Sequence, residues 1–148
     1  MEGLKRNNYN VGQNCFHLVW KVKYAYSFLN RHSLKACVEG MIKLIAAQYG
    51  WQVHELQVMP DHVHLVVKTS VSINPSKVVQ LIKGASSYLF FRFHPKARLR
   101  YPRGHLWSKG KFIASIGFTD LDFTIAYVLH QEEHHDSPLI NTSGNHTL

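Results

Sequence analysis

The sequence predicts an α+β domain of the ferredoxin-like, split βαβ type: an antiparallel four-stranded sheet with helices on one face and an added C-terminal helix. Three observations lead there. Segments of alternating hydrophobicity and segments of helical spacing follow one another in the order β-α-β-β-α-β-α. The two central strands join across Pro60-Asp61, a connection short enough to make them an antiparallel hairpin. And 148 residues with 45% hydrophobic side chains suffice for a packed core but not for a TIM-type barrel.

Each element has its own signal. Cys15–Tyr24, CFHLVWKVKY, alternates: Phe16, Leu18, Trp20 and Val22 face one side, and His17, Val19, Lys21 and Lys23 the other, as in a half-buried strand. Ser33 suits the N-cap of a helix whose apolar positions Leu34, Cys37, Val38, Met41, Ile42 and Ile45 recur at helical spacing, and Gly50 is its stop signal. Trp51–Met59 and His62–Thr69 read as the hairpin strands. Asn74-Pro75 is a cap followed by a first-turn proline, opening a helix to about Phe93 with the stripe Val78, Leu81, Ile82, Ala85 and Leu89. His94–Lys111, punctuated by Pro95, Pro102, Gly104 and Gly110, reads as loop, and Phe112–Ile116 as a short strand. Thr119-Asp120-Leu121-Asp122 resembles a capping box for a last helix to about Glu133. One domain is expected over residues 1–148, with its core at about 15–133 and a polar tail at 137–148. In this arrangement the helices cover one face of the sheet and leave the other for ligands.

Composition narrows the function. No apolar stretch reaches membrane-spanning length, since Glu39, Lys43 and Gln48 interrupt the longest candidate. The opening residues MEGLKRNNYN lack a signal-peptide core, and Cys15 and Cys37 are too few for a disulfide framework. A cytoplasmic protein with reduced thiols and no membrane partner is expected. The chain carries 17 Lys+Arg against 9 Asp+Glu, a net charge of +8. Between Asp61 and Asp120 no acidic residue occurs, while Lys68, Lys77, Lys83, Arg92, Lys96, Arg98, Arg100, Arg103, Lys109 and Lys111 do. Phe90, Phe91, Phe93, Tyr101, Trp107 and Phe112 interleave with them. Cations for phosphates and rings for bases suit single-stranded nucleic acid, the plain alternative being a solvated basic surface.

The stretch MPDHVHLVV raises a sharper question, because His62 and His64 stand where valine would pack. Residues two apart in a strand share a face, so the two imidazoles point together, away from Val63, Leu65 and Val67, and suit one metal ion. Alone, such a pair is weak and more often ordinary surface histidine. The last helix adds to it. Leu121, Ile125, Val128 and Leu129 form an apolar stripe, and Tyr127 and Gln131, one turn apart, lie opposite. A phenol and an amide so placed can serve one site, one attacking and the other ligating; an exposed tyrosine and glutamine are the alternative.

With these residues assembled, the chain resembles the single-tyrosine HUH transposases, the TnpA-type enzymes of the 200/605 class of insertion sequences. His62-Val63-His64 matches His-hydrophobic-His. LVWKVKY (Leu18–Tyr24), MPDHVHLVV (Met59–Val67), KGASSYLFF (Lys83–Phe91), HLWSKGKFIASIG (His105–Gly117) and YVLHQ (Tyr127–Gln131) resemble family segments in order and spacing, from about Phe16 to Gln131. The chain departs at Ala25, where the family commonly has a basic residue, and at Lys111-Phe112, where it often has an aromatic pair; both positions bear on DNA contacts more than on chemistry.

The resemblance implies a metal-dependent single-strand nuclease and strand transferase. Tyr127 would attack the scissile phosphate and form a 5′-phosphotyrosine link, and His62, His64 and Gln131 would hold Mg²⁺ or Mn²⁺. It further implies hairpin-marked single-stranded DNA as substrate, a homodimer, and association with the nucleoid when bound. Lys21 and Lys23 would contact phosphate if the first strand adjoins the histidine strand, and Arg98, Arg100, Lys109 and Lys111 would do so from the basic interval. Trp107 would stack on a base or else anchor its loop. Asp61 would orient a histidine or a metal-bound water, or simply shape the hairpin turn. The alternative function is a domesticated hairpin-binding module without cleavage activity.

Overall fold

The computed structural model describes residues 14–70, 72–117 and 124–130. The first strand, β1 (Cys15–Val22), is central in a four-stranded sheet. The helix α1 (His32–Gln48) leads to the hairpin of β2 (Gln52–Val58) and β3 (His62–Lys68). The helix α2 (Pro75–Phe93), the edge strand β4 (Trp107–Ser115) and a helix α3 at 124–130 follow. Strand order is β2-β3-β1-β4 and every pairing is antiparallel, as the split βαβ reading requires.

The alternation in β1 and β3 sets what lies on each face. Leu18, Trp20, Val22, Val63, Leu65 and Val67 all join one core, with Val38, Ile42 and Ile45 of α1 and Val78, Ile82 and Phe90 of α2. The α2 cap is as the sequence indicates: Asn74 accepts from the Ser76 amide at 2.8 Å, ahead of Pro75. Gly50, just beyond α1, has φ +74°, the left-handed conformation that glycine takes at low cost. Among the described residues no helix is long and apolar enough to cross a membrane.

Four expectations are corrected. The first strand ends at Val22, not Tyr24: the Val22 amide donates to the Asp61 carbonyl and the Lys23 amide to the Leu106 carbonyl, and the chain turns through Tyr24 at φ +68°. Arg31, not Ser33, caps α1, and no side chain bonds there; the Arg31 carbonyl instead accepts the Leu34 and Lys35 amides. The segment read as loop through Lys111 contains a 3₁₀ turn at Pro95–Leu99 and the first half of β4, which begins at Trp107. An edge strand has one free side, so Gly110 and a register irregularity between Trp20 and Val22 are tolerated. Finally, the second sheet face is not wholly open. Val128 of α3 is fully buried with Cys15, Val66 and Ile116, so α3 covers part of it. The expected capping residues 119–122 and the helix end near Glu133 lie outside the described residues.

Candidate active site

The candidate site lies on the sheet face opposite the main core. Because β1 pairs directly with β3, with Lys21 opposite His62 and Val19 opposite His64, alternation brings His17, Val19 and Lys21 onto the face that holds His62 and His64. From the other side, Gln57 of β2 stands opposite His64. His64 is 0% exposed, His62 5% and His17 8%, which removes the surface-histidine alternative. The His62 and His64 rings lie 5.0 Å apart, centroid to centroid.

Each histidine is held through Nδ1. The His62 Nδ1 lies 2.7 Å from Asp61 Oδ1. An ionised carboxylate only accepts, so Nδ1 carries the proton and the ring presents Nε2 on its other side. The His64 Nδ1 lies 3.1 Å from His17 Nε2, and the two rings stack with centroids 5.4 Å apart. The His64 Nε2 is buried and has no hydrogen-bond partner among the described residues. Burial first, then the nearby His62 and His17, push the His64 pKa down to about 3, so the ring is neutral near pH 7. Burial alone lowers His17.

Two imidazoles held through Nδ1, with the buried His64 Nε2 left without a partner among the described residues, form a donor set suited to a divalent ion. Among the described residues no group of three or more His, Cys, Asp or Glu side chains is placed to hold a metal. The expected third donor, Gln131, lies outside the described residues. Asp61 Oδ1 is engaged with His62 Nδ1, and the Asp61 carbonyl accepts the Val22 amide beside the hairpin turn.

The α3 helix brings Tyr127 to this face. Val128 is its buried anchor, while Leu129 is 43% exposed and so does not belong to the apolar stripe. The Tyr127 ring, 48% exposed, meets the His17 ring edge-on at 6.3 Å between centroids. Tyr127 is thus turned toward the histidines and not away from the sheet. Phe112 of β4 meets the other edge of the cluster, 5.7 Å from His17.

The basic interval converges elsewhere. A cavity of about 870 Å³ is lined by Lys23, Lys83, Arg92, Arg98 and Lys109 among the cations, with Tyr24, Tyr88 and Phe91 among the rings. Gly104 closes it against Arg98: it has φ +71°, and a Cβ there would fall 2.9 Å from the Arg98 Nη1. Lys83 donates to the Ser108 carbonyl at 2.6 Å, and burial, then Lys111, lower its pKa. Arg100 lies over Tyr26, next to a second hollow that also takes in Arg31 and Lys96.

Lys21 therefore shares the histidine face, whereas Lys23 does not, because β1 stops before it. Lys109 lines the cavity, and Lys111 is paired with Trp20, whose side chain is in the main core. Trp107 corrects the stacking expectation. It is 6% exposed, its indole donates to Ser86 Oγ at 2.8 Å, and its ring meets Trp20 edge-on at 5.9 Å, so it anchors β4 to the core. The sequence reading placed His17 on the correct face but gave it no partner, and it missed Gln57. For His17 the signal was available: adjacency of the first and third strands plus strand parity.

Comparison with known proteins gives a consistent result. The family model described as "Transposase IS200 like" matches residues 10–131. The ISDra2 transposase TnpA of Deinococcus radiodurans is 31% identical over 113 residues, covering 76% of this chain and 80% of that protein. A crystal structure of a candidate transposase from Deinococcus radiodurans R1 aligns with a TM-score of 0.63 at 26% identity, covering 79% of this chain and 89% of its own. The structure of a REP-associated tyrosine transposase bound to a REP hairpin aligns with a TM-score of 0.61 over 84% of this chain and 69% of its own; at 11% identity this is a likeness of fold.

Proposed function

This chain belongs to the IS200-like transposase family, and from that membership we propose that it cleaves and rejoins single-stranded DNA at hairpin-marked element ends, with Tyr127 as nucleophile. The observation that carries the reading is the convergence of His62, His64 and Tyr127 on one sheet face, with both histidines tethered through Nδ1.

Mg²⁺ or Mn²⁺, held by His62, His64 and Gln131, would supply positive charge against that developing on the scissile phosphate, and two imidazole donors make Mn²⁺ the better match. Asp61 and His17 keep the donor rings from rotating. Tyr127 attacks phosphorus in line: the P–Oη bond forms, the P–O3′ bond breaks, the phenol loses its proton and the 3′-oxygen gains one. The 5′-phosphotyrosine link retains the energy of the cleaved bond, so a 3′-OH can reverse the step without ATP. The half-exposed Tyr127 ring lets a strand reach it from solvent.

The cavity of Lys23, Lys83, Arg92, Arg98 and Lys109 grips phosphates at a distance from the chemistry, while Lys21 holds the strand beside His62. The hairpin as ligand is suggested by the REP hairpin bound to the REP-associated relative. Two copies acting together fit this division, each end of an element requiring its own cleavage.

Incubating an end-labelled, hairpin-bearing single strand with the protein and Mn²⁺ tests the proposal. The expected product is a nick at one phosphate that requires the unpaired flank. A protein that binds the hairpin tightly and never nicks it would be a binding module and not a strand transferase.

A further inference from the structure

The geometry points to His17 as a positioning residue that accepts the His64 Nδ1–H and so fixes the His64 ring with its Nε2 lone pair toward the metal site. The inference rests on the metal reading above and deepens it.

Two arrangements satisfy a 3.1 Å separation between His17 Nε2 and His64 Nδ1, one with each ring donating. If His17 donated, His64 would accept through Nδ1, and in its neutral form its proton would sit on Nε2. That nitrogen is buried and has no acceptor among the described residues. A buried donor without an acceptor is destabilising, and a protonated Nε2 cannot ligate. With the bond reversed, the His64 proton is satisfied on Nδ1, and Nε2 presents a lone pair. His17 then carries its own proton on Nδ1, which, unlike the His64 Nε2, is not among the buried polar atoms left without a partner. The His17 ring stacks on His64 and meets Phe112 and Tyr127 edge-on. A purely packing role at 8% exposure would suit phenylalanine or leucine better than a ring that must be desolvated. The arrangement parallels that of His62 and Asp61, but with a neutral acceptor in place of a carboxylate.

The test uses the full chain with ¹⁵N-labelled histidine and three proteins: wild type, His17→Phe, which keeps a ring and removes the acceptor, and His17→Gln, which keeps an acceptor oxygen. Long-range ¹H–¹⁵N correlation of the metal-free proteins reads the His64 tautomer. Titration with Mn²⁺ alone reads affinity by paramagnetic broadening of the His62 and His64 signals, and melting curves report folding. The expected result is an Nδ1–H His64 in wild type and His17→Gln. In His17→Phe that form is lost, and Mn²⁺ affinity falls about 10- to 100-fold. An Nε2–H His64 in the wild type overturns the assignment, even if both variants fail to fold. So does a folded His17→Phe that binds Mn²⁺ as tightly as wild type. A wild type whose His64 is Nδ1–H but whose histidine signals ignore Mn²⁺ overturns the metal reading instead and upholds the His17 hydrogen bond.

Discussion

On the histidine face, His17, His62 and His64 are buried, and the Nδ1 atoms of His62 and His64 are held by Asp61 and His17. Around the basic cavity, Arg92, Arg98 and Lys109 are exposed, beside open rings such as Tyr88. The first region holds a few ring atoms through hydrogen bonds and close packing, the kind of positioning that covalent chemistry needs. The second offers long, exposed cations, which suit a phosphate backbone whatever its sequence. Under the proposed function, chemistry and grip are separate functions on different parts of one small sheet, and each should be removable without the other.

The largest effect should come from the histidines. His62→Ala or His64→Ala should cut strand cleavage at least about 10³-fold, the loss of several kcal/mol of transition-state stabilisation, while gel-shift affinity for the hairpin stays near wild type. Chelator should reproduce this, and Gln131→Ala should cost less, since water can replace a neutral amide. Loss of hairpin affinity in step with cleavage would merge the two regions into one.

Trp107 probes what joins them. Trp107→Ala removes a buried ring that braces β4, the strand that carries Lys109 on one side of the sheet and Phe112 on the other. A stability loss of about 3–5 kcal/mol in denaturant titration is expected. A stable variant with only weakened DNA binding would restore the base-stacking role.

Acid should attack the histidine face selectively. The His64 pKa lies at about 3 when folded against an ordinary 6.5, and His17 is lowered too. The unfolded chain therefore takes up protons first. Metal-free stability is intact above about pH 6.5 and falls as pH drops from there toward 3, by up to about 1.4 kcal/mol per pH unit for each such group. Denaturant titrations at several pH values should show this slope, and it should flatten in His64→Gln.

The smallest effects belong to the cavity. Arg98→Ala or Lys109→Ala should weaken binding to all hairpins alike and make the dependence of log K on log salt shallower by about 0.7–0.9 for each phosphate no longer neutralised. Sequence-dependent weakening would mean that these residues read bases.

How much of this was legible in the sequence differs between the same two regions. Period-two alternation is a strong local signal, so β1, β3 and the shared face of His62 and His64 could be read directly, and Asn74-Pro75 announced α2. The Asp61–His62 bond joins sequence neighbours and was within reach. The His17–His64 bond spans 47 residues: the shared face follows once the split βαβ fold sets the first strand beside the third, but the pairing of these two rings needs the register, which the sequence does not state. The basic interval was visible as a charge run, but a run has no direction: the turn after Val22 sends Lys23 to the cavity, and an irregular β4 carries Lys109 with it. Trp107 sits in that irregular segment, where its glycine neighbours resemble a loop and nothing local reveals Ser86 beneath the indole.

The central claim is that Tyr127, held against the histidine cluster, is the nucleophile. It is tested most directly by incubating the protein with a hairpin-bearing single strand and Mn²⁺, denaturing it, digesting it and locating the DNA-linked peptide by mass spectrometry. The account predicts a 5′-phosphate on the peptide containing Tyr127, and no adduct from Tyr127→Phe at unchanged hairpin affinity. A nucleotide attached to another side chain, or an adduct of full yield in Tyr127→Phe, would contradict it.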